Sequence, residues 1–230
     1  MPASTGVREQ NRVENTEAIK RVAREHLARD GAATLSLRGV ARDVGMVSSA
    51  VYRYFPSRDD LLTALIVDAY DAVGQAAEDA DAAAPADDLD ARWLAIAGAI
   101  RDWARANPHE YALVYGSPVP GYAAPTDTIL PAARVSLVFL GLVAEGVRRG
   151  EVDTDDSFET TRALRQDFAR LRGAVPGVPD GVVARGLLVW TQLFGHLSYE
   201  LFGHLHNVIT DYDALFELEM KRSWAYLTTG

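Results

Sequence analysis

The chain has no cysteine among its 230 residues, only three methionines and ten prolines, and fewer basic than acidic groups, 23 against 32. Without cysteine, disulfide staples and thiolate chemistry are excluded, which suits a cytoplasmic protein. Proline and glycine punctuation is sparse and alternating strand-like segments are absent, so the chain reads as all-α. No apolar run is read as long enough to span a bilayer, and the polar start 1–10 lacks the apolar stretch of an export signal. A hydrophobic share of 48% with 24% charged residues is that of an ordinary globular protein long enough to bury a sizeable core.

The shortage of positive charge argues against a polyanion as partner until its distribution is considered. The formal net charge is −9. Residues 1–60 hold ten Lys/Arg against eight acids, a net of +2, so the remainder carries −11. A mildly basic head on an acidic body can bind phosphates locally while the body discourages indiscriminate adhesion. Along the chain, 1–11 reads as a disordered arm and 12–30 as a first helix with Ile19, Val22, Ala23 and Leu27 on one face. Ser57 and Asp60 form a capping pair for a connecting helix over 57–75, and 76–90, rich in Ala, Asp and Glu, reads as a solvated break. Helices follow over 89–106, 130–149, 153–171, 182–205 and 211–227, with a short one after Pro108 and a Pro/Gly turn at 173–181.

The most informative stretch is 36–62. Leu37, Val40 and Ala41 recur at i, i+3 and i+4 and face inward, while Arg38 and Arg42 face out. Gly45 can take the positive φ that a tight turn between crossed helices needs. In the next short helix Val47, Ala50 and Val51 face inward, leaving Ser48, Ser49, Tyr52 and Arg53 on the opposite side. Small hydroxyls, a phenol and a guanidinium suit contact with base edges and phosphates in a major groove. Any short amphipathic helix pair shares part of this pattern. The continuation Tyr52-Arg53-Tyr54-Phe55-Pro56-Ser57-Arg58-Asp59-Asp60-Leu61 is much more specific.

With Val40-Ala41, Gly45, Met46, Tyr52 to Phe55 and Ser57-Arg58-Asp59 to Leu61 in place, the region from Asn15 to Leu65 resembles the DNA-binding domain of the TetR family of transcriptional regulators. The resemblance implies a helix-turn-helix domain over 12–56, the connecting helix 57–75, and a helical ligand-binding and dimerisation domain over 76–230. It implies base contacts by Arg38, Ser48 and Arg53, and phosphate contacts by Ser36, Ser49, Tyr52, Tyr54 and Arg58. The chain departs from the pattern at Val47, where the family has Ser or Thr before the recognition helix, so the cap is either missing or shifted to Ser48. Tyr54 lies inward by the helical stripe but toward DNA by the family pattern, and the family placement is adopted. The segment 190–207, beginning at Trp190, also resembles the Trp-x-x-x-His-Gly type of C-terminal domain, with Phe194 in place of the histidine.

In the body, Trp93, Trp103, Tyr111, Tyr115, Phe139, Phe168 and Trp190 either line an effector pocket, as the resemblance implies, or fill the core, as aromatic residues at helical spacing usually do. The last two helices are too apolar for a one-sided monomer and fit half of a four-helix dimer interface, which would set two recognition helices one DNA turn apart. The expected partners are therefore a double-stranded operator, a small apolar effector and a second copy of the chain, with no membrane. His196, Glu200 and His204 fall at i, i+4 and i+8, a spacing that brings two ligands to one metal or places polar groups at a helix seam. No Gly-rich phosphate loop and no nucleophile with its flanking turn chemistry is present, so no enzyme activity and no cofactor is expected. A helical metal-binding module or enzyme containing a helix-turn-helix, or an effector-free architectural protein, is the alternative to a repressor released by its ligand.

Overall fold

A computed structural model describes residues 3–155, 160–173 and 175–228. Its ten α-helices are α1 (Ala3–Asp30), α2 (Leu37–Val44), α3 (Ser48–Val51), α4 (Arg58–Ala83), α5 (Leu89–Ala106), α6 (Pro108–Tyr115), α7 (Ile129–Arg149), α8 (Arg162–Arg172), α9 (Asp180–Leu201) and α10 (Tyr212–Thr228). Single 3-10 turns occupy Ala32–Thr34 and Thr126–Thr128. No strand occurs among the described residues.

The chain divides into two compact units, one of residues 1–70 with 107–131, the other of 71–106 with 132–230. In the first, Ile19 and Leu27 of α1, Leu37 and Val40 of α2, Val51 of α3 and Leu61 of α4 close one apolar core. The expected stripe of α2 is buried as read, and Gly45 ends that helix at φ 77. Ser57 and Asp60 cap α4 reciprocally, Ser57 N–H donating to Asp60 Oδ2 at 2.8 Å and Asp60 N–H to Ser57 Oγ at 3.1 Å. In the second unit, Trp93 stacks on Trp224 at 6.0 Å, packs against Phe139 at 5.3 Å, and donates its indole N–H to Met220 O at 2.9 Å.

Several expectations are corrected. The arm over 1–11 is helical from Ala3, because an established helix extends cheaply through residues with no proline, helped by Gln10 donating to Glu14 at 3.0 Å. The acidic break over 76–90 shrinks to 84–88, since α4 continues to Ala83. Alanine favours helix, and Glu78 and Asp81 are held by Arg134 and Arg92. The body does not run unbroken from residue 76, because 107–131 belongs to the first unit. Arg24 binds Glu110 at 2.8 Å, Thr63 meets Tyr122 at 2.9 Å, and Tyr70 donates to Val114 O at 3.1 Å. The helix read over 153–171 begins at Arg162, where Thr161 Oγ1 caps Leu164 N–H, and 156–159 lie outside the described residues. The segment 126–149 also has the length and apolar composition to cross a membrane, with 28% of its apolar window buried in the structure, against the expectation that no run does.

Candidate nucleic-acid interface and ligand cavity

Arg58 and Tyr54 are both engaged by hydrogen bonds within their own unit. The Arg58 guanidinium points back onto its own domain, donating to Ala32 O at 2.9 Å, Leu35 O at 3.1 Å and Ala33 O at 3.3 Å, with Asp59 at 3.3 Å. It therefore ties the start of α4 to the loop before α2, contacts that compete with the phosphate role the resemblance implies. Tyr54 is half-buried and its Oη accepts from Asn15 Nδ2 at 3.0 Å, which ties the end of the α3 turn to α1. That bond leaves the phenolic proton of Tyr54 to donate elsewhere.

The remaining candidates all face solvent. Ser36, Arg38, Ser48, Ser49, Tyr52 and Arg53 are all exposed on α2, α3 and their flanks. Val47 is 71% exposed rather than inward, and it occupies the N-cap of α3 with no side-chain cap. Its carbonyl accepts from Ala50 N–H at 2.9 Å, so the cap is missing and the register is not shifted.

Ion pairing separates the basic residues of this unit into two groups. Lys20, Arg21, Arg24, Arg29, Arg42 and Arg58 each meet a carboxylate. Arg42 illustrates the effect: its hydrogen bond to Asp43, reinforced by His26, holds the Asp43 carboxyl below its ordinary range. Among the described residues Arg8, Arg12, Arg38 and Arg53 have no such partner. His26 is buried and its Nε2 lies 2.8 Å from Asp43 Oδ2, a link between α1 and α2 that the sequence pattern did not reveal.

In the second unit a cavity of about 320 Å³ opens between α7, α8 and α9. Phe139, Leu140, Val143, Val183 and Trp190 form part of its wall, and Ser136 is its one hydroxyl. The Ser136 hydroxyl donates to Ala133 O at 2.8 Å and so offers a ligand its lone pairs. Of the seven aromatic candidates, only Phe139 and Trp190 line this cavity. Trp93 is core, Phe168 is buried on α8, and Trp103 is half-buried on α5. Tyr111 and Tyr115 belong to the first unit, where burial pushes the Tyr115 phenol far above its ordinary pKa, aided by Tyr70 and Tyr111. Their spacing from Trp103 was helical, but the turn at Asn107-Pro108 carries them into another core.

The His196, Glu200, His204 face is also interrupted. The helix ends at Leu201, Gly203 takes φ 77, and the His204 ring packs on Tyr199 at 5.1 Å. Glu200 instead binds Arg101 through both oxygens at 2.8 and 2.9 Å, and His196 Nδ1 lies 2.7 Å from Glu219 Oε2. Burial opposes the charge on Arg101, but Glu200 and Asp213 more than offset it and raise its pKa. The seam reading of these residues is the one the geometry supports. Beside it, Leu188, Leu218 and Tyr226 leave an exposed apolar face along α9 and α10.

A Gly-hinged helix pair presenting unneutralised guanidiniums, with a separate helical unit carrying an apolar cavity, defines a helix-turn-helix transcriptional regulator. Comparison with known proteins gives the particular family. Residues 19–65 match the model for bacterial regulatory proteins of the tetR family, and residues 93–223 match the Tetracyclin repressor-like C-terminal domain. The HTH-type transcriptional regulator Rv1816 of Mycobacterium tuberculosis is 41% identical over 224 residues, covering 94% of this chain and 93% of that protein. Regulator Mb1846 of Mycobacterium bovis matches equally, at 41% over the same shares. Among solved structures, the regulatory protein SCO4313 superposes with a TM-score of 0.76 at 35% identity, covering 94% of this chain and 97% of that one. A Rhodococcus protein of unknown function superposes with a TM-score of 0.71 at 23% identity, over 93% and 95% of the two chains. The chain belongs to the TetR family of transcriptional regulators.

Proposed function

We propose that the chain is a homodimeric repressor that leaves a pseudo-palindromic operator when a small, uncharged, apolar effector fills the α7–α8–α9 cavity. The observation that carries the DNA side of this reading is the exposed α2–α3 face, where Arg38 and Arg53 lack any carboxylate partner among the described residues. Arg38, Ser48 and Arg53 meet base edges; Ser36, Ser49, Tyr52 and Tyr54 meet phosphates. The exposed apolar face of α9 and α10 pairs with its copy across a two-fold axis, setting the recognition helices about 34 Å apart, one DNA turn. Such a protein works where the chromosome is, in the cytoplasm, and regulates rather than catalyses.

A cavity walled almost wholly by aliphatic and aromatic groups favours ligands without charge, because a buried unpaired charge is costly. Occupancy acts by population shift, favouring a body conformation whose helix spacing mismatches the operator. Helices α4 and α7, whose residues contribute to both units, are covalent routes for that change. The test selects bound duplexes from a random 30-base-pair library, about three DNA turns long. It then repeats the mobility shift with decanol or naphthalene present. Enrichment of a two-fold symmetric sequence, released by at least one apolar probe, is expected. Retention of no duplex at about 50 mM salt, where phosphate contacts are strongest, overturns the reading.

A further inference from the structure

We propose that Arg12, on α1 and outside the helix-turn-helix, binds a DNA phosphodiester on the flank of each half-site, with Arg8 continuing the track one turn further out. The proposal rests on the DNA-binding reading above and adds an anchor that lies outside the recognition motif.

Three observations converge on it. First, Arg12 and Arg53 line one recess of about 420 Å³, together with Ala50 and Tyr54. Two guanidiniums around one recess repel each other unless an anion lies between or beside them. Second, no carboxylate among the described residues takes that place. Glu14 is occupied with the Gln10 amide at 3.0 Å, and neither Arg8 nor Arg12 forms an ion pair, although most basic groups of this unit do. Third, α1 is helical from Ala3, so Arg8, Arg12 and Asn15 fall at i, i+4 and i+7 on one face. Asn15 fixes that face against the recognition turn by donating to Tyr54 Oη at 3.0 Å.

The ligand chemistry follows from the donor set. Guanidiniums are planar forks that bind phosphate oxygens bidentately, and the Tyr54 O–H is left to donate to the same group. Arg12 projects from α1, which is not the element that enters the groove, whereas Arg53 projects from the recognition turn. The contact is therefore to the backbone: it fixes the protein's position on the duplex and carries no sequence information.

The test uses the full-length protein and the duplex that the wild type enriches from a random library, with a scrambled duplex beside it. Binding is measured by fluorescence anisotropy between about 50 and 200 mM salt, where each phosphate contact contributes a slope of about −0.9 in log K against log salt. With one Arg12 from each protomer, Arg12→Ala is expected to flatten the slope by about 1.8 and to weaken both duplexes alike, by roughly tenfold or more. Arg12→Lys keeps the charge and is expected to keep most of the slope. Arg21→Ala, which removes a cation already paired with Glu25, is expected to leave it unchanged. An unchanged slope in Arg12→Ala, beside a loss of base preference in Arg53→Ala, overturns the proposal and leaves the DNA reading standing. Loss of sequence preference in Arg12→Ala overturns the backbone assignment. Failure of the wild type to enrich any duplex overturns the DNA reading and the proposal with it.

Discussion

Arg58 provides a sharp test of whether a family pattern or the local geometry assigns a residue's role. Its guanidinium donates to the carbonyls of Ala32, Ala33 and Leu35, and 28% of its side chain is exposed. Hydrogen bonds from a charged donor are each worth about 1.5–3 kcal/mol when fully desolvated. Water can reach part of this site and replace some of the lost bonds, so Arg58→Ala is expected to cost about 2 kcal/mol in total. For a chain of this length each kcal/mol moves the melting temperature by about 2–4 °C, giving a drop of about 4–8 °C. Circular dichroism melts measure it. A phosphate ligand would instead leave the melt unchanged and flatten the salt slope of DNA binding by about 0.9 per protomer. Arg58→Lys separates the two again, because an ammonium restores a charge at a phosphate but cannot serve three carbonyls in a fixed fork. A melt of Arg58→Ala within about 1 °C of wild type, a fraction of the shift expected from about 2 kcal/mol, together with a flattened slope, refutes the structural role.

Filling the cavity comes next: at Gly186 an added Cβ meets Phe139 Cε1 at 3.7 Å, an ordinary contact. Gly186→Val is thus expected to keep or slightly raise the melting temperature while weakening binding of the uncharged dye Nile red more than about tenfold. Paired substitution of Leu188 and Leu218 by Asp, on the exposed α9–α10 face, is expected to convert a dimer of twice the 25.0 kDa chain mass to monomer in analytical ultracentrifugation. A wild type sedimenting at 25.0 kDa removes the basis for that interface. Acid is expected to destabilise the second unit in a defined direction. Glu78 is held below its ordinary 4.5 by the Arg134 hydrogen bond, and Asp153 below 3.8 by the Asp155 N–H and then Arg185. Depressed carboxylates add stability that is complete above their ordinary values and is lost as pH falls through the folded ones. Melts from about pH 5 downward should therefore fall less steeply in Glu78→Gln than in wild type, from a lower neutral value.

The DNA-binding head was legible because its signals are local. Leu37, Val40 and Ala41 share a face within one helix, Gly45 sits where the backbone needs positive φ, and Ser57 and Asp60 cap within three residues. Failures came where a distant partner decides the outcome. Residues 76–83 have the composition of a solvated break, yet Arg134, 56 residues from Glu78, holds them in α4. Tyr111 and Tyr115 continue the aromatic rhythm of α5, but Arg24 and Glu110, 86 residues apart, draw α6 into the first unit. Aromatic spacing alone could not tell a cavity wall from core. Trp93 is core because its indole finds Met220 O, 127 residues away, whereas Trp190 lies along an opening that only the packing of α7 and α8 creates.

Net charge misjudges this molecule for a related reason. A chain at −9 should repel a polyanion, but beyond the Debye length, about 8–10 Å at cellular salt, the net charge is largely screened. At contact, what counts is which guanidiniums are left without a carboxylate. Asp68, with Glu17 and Glu110, neutralises Lys20 and Arg24 on a part of α1 whose opposite stripe is core. Asp43 takes Arg42 and so removes the positive charge next to Arg38 from competition. The acids therefore leave Arg8, Arg12, Arg38 and Arg53 as unpaired cations on the exposed face of this unit, Arg12 and Arg53 around one recess. Sequence-independent attraction is kept weak by the body, while short-range contacts at that face remain undiminished. Such a distribution raises the ratio of specific to non-specific binding without adding a single base contact, and that ratio rather than affinity alone governs occupancy of a site among a genome's competing sequences.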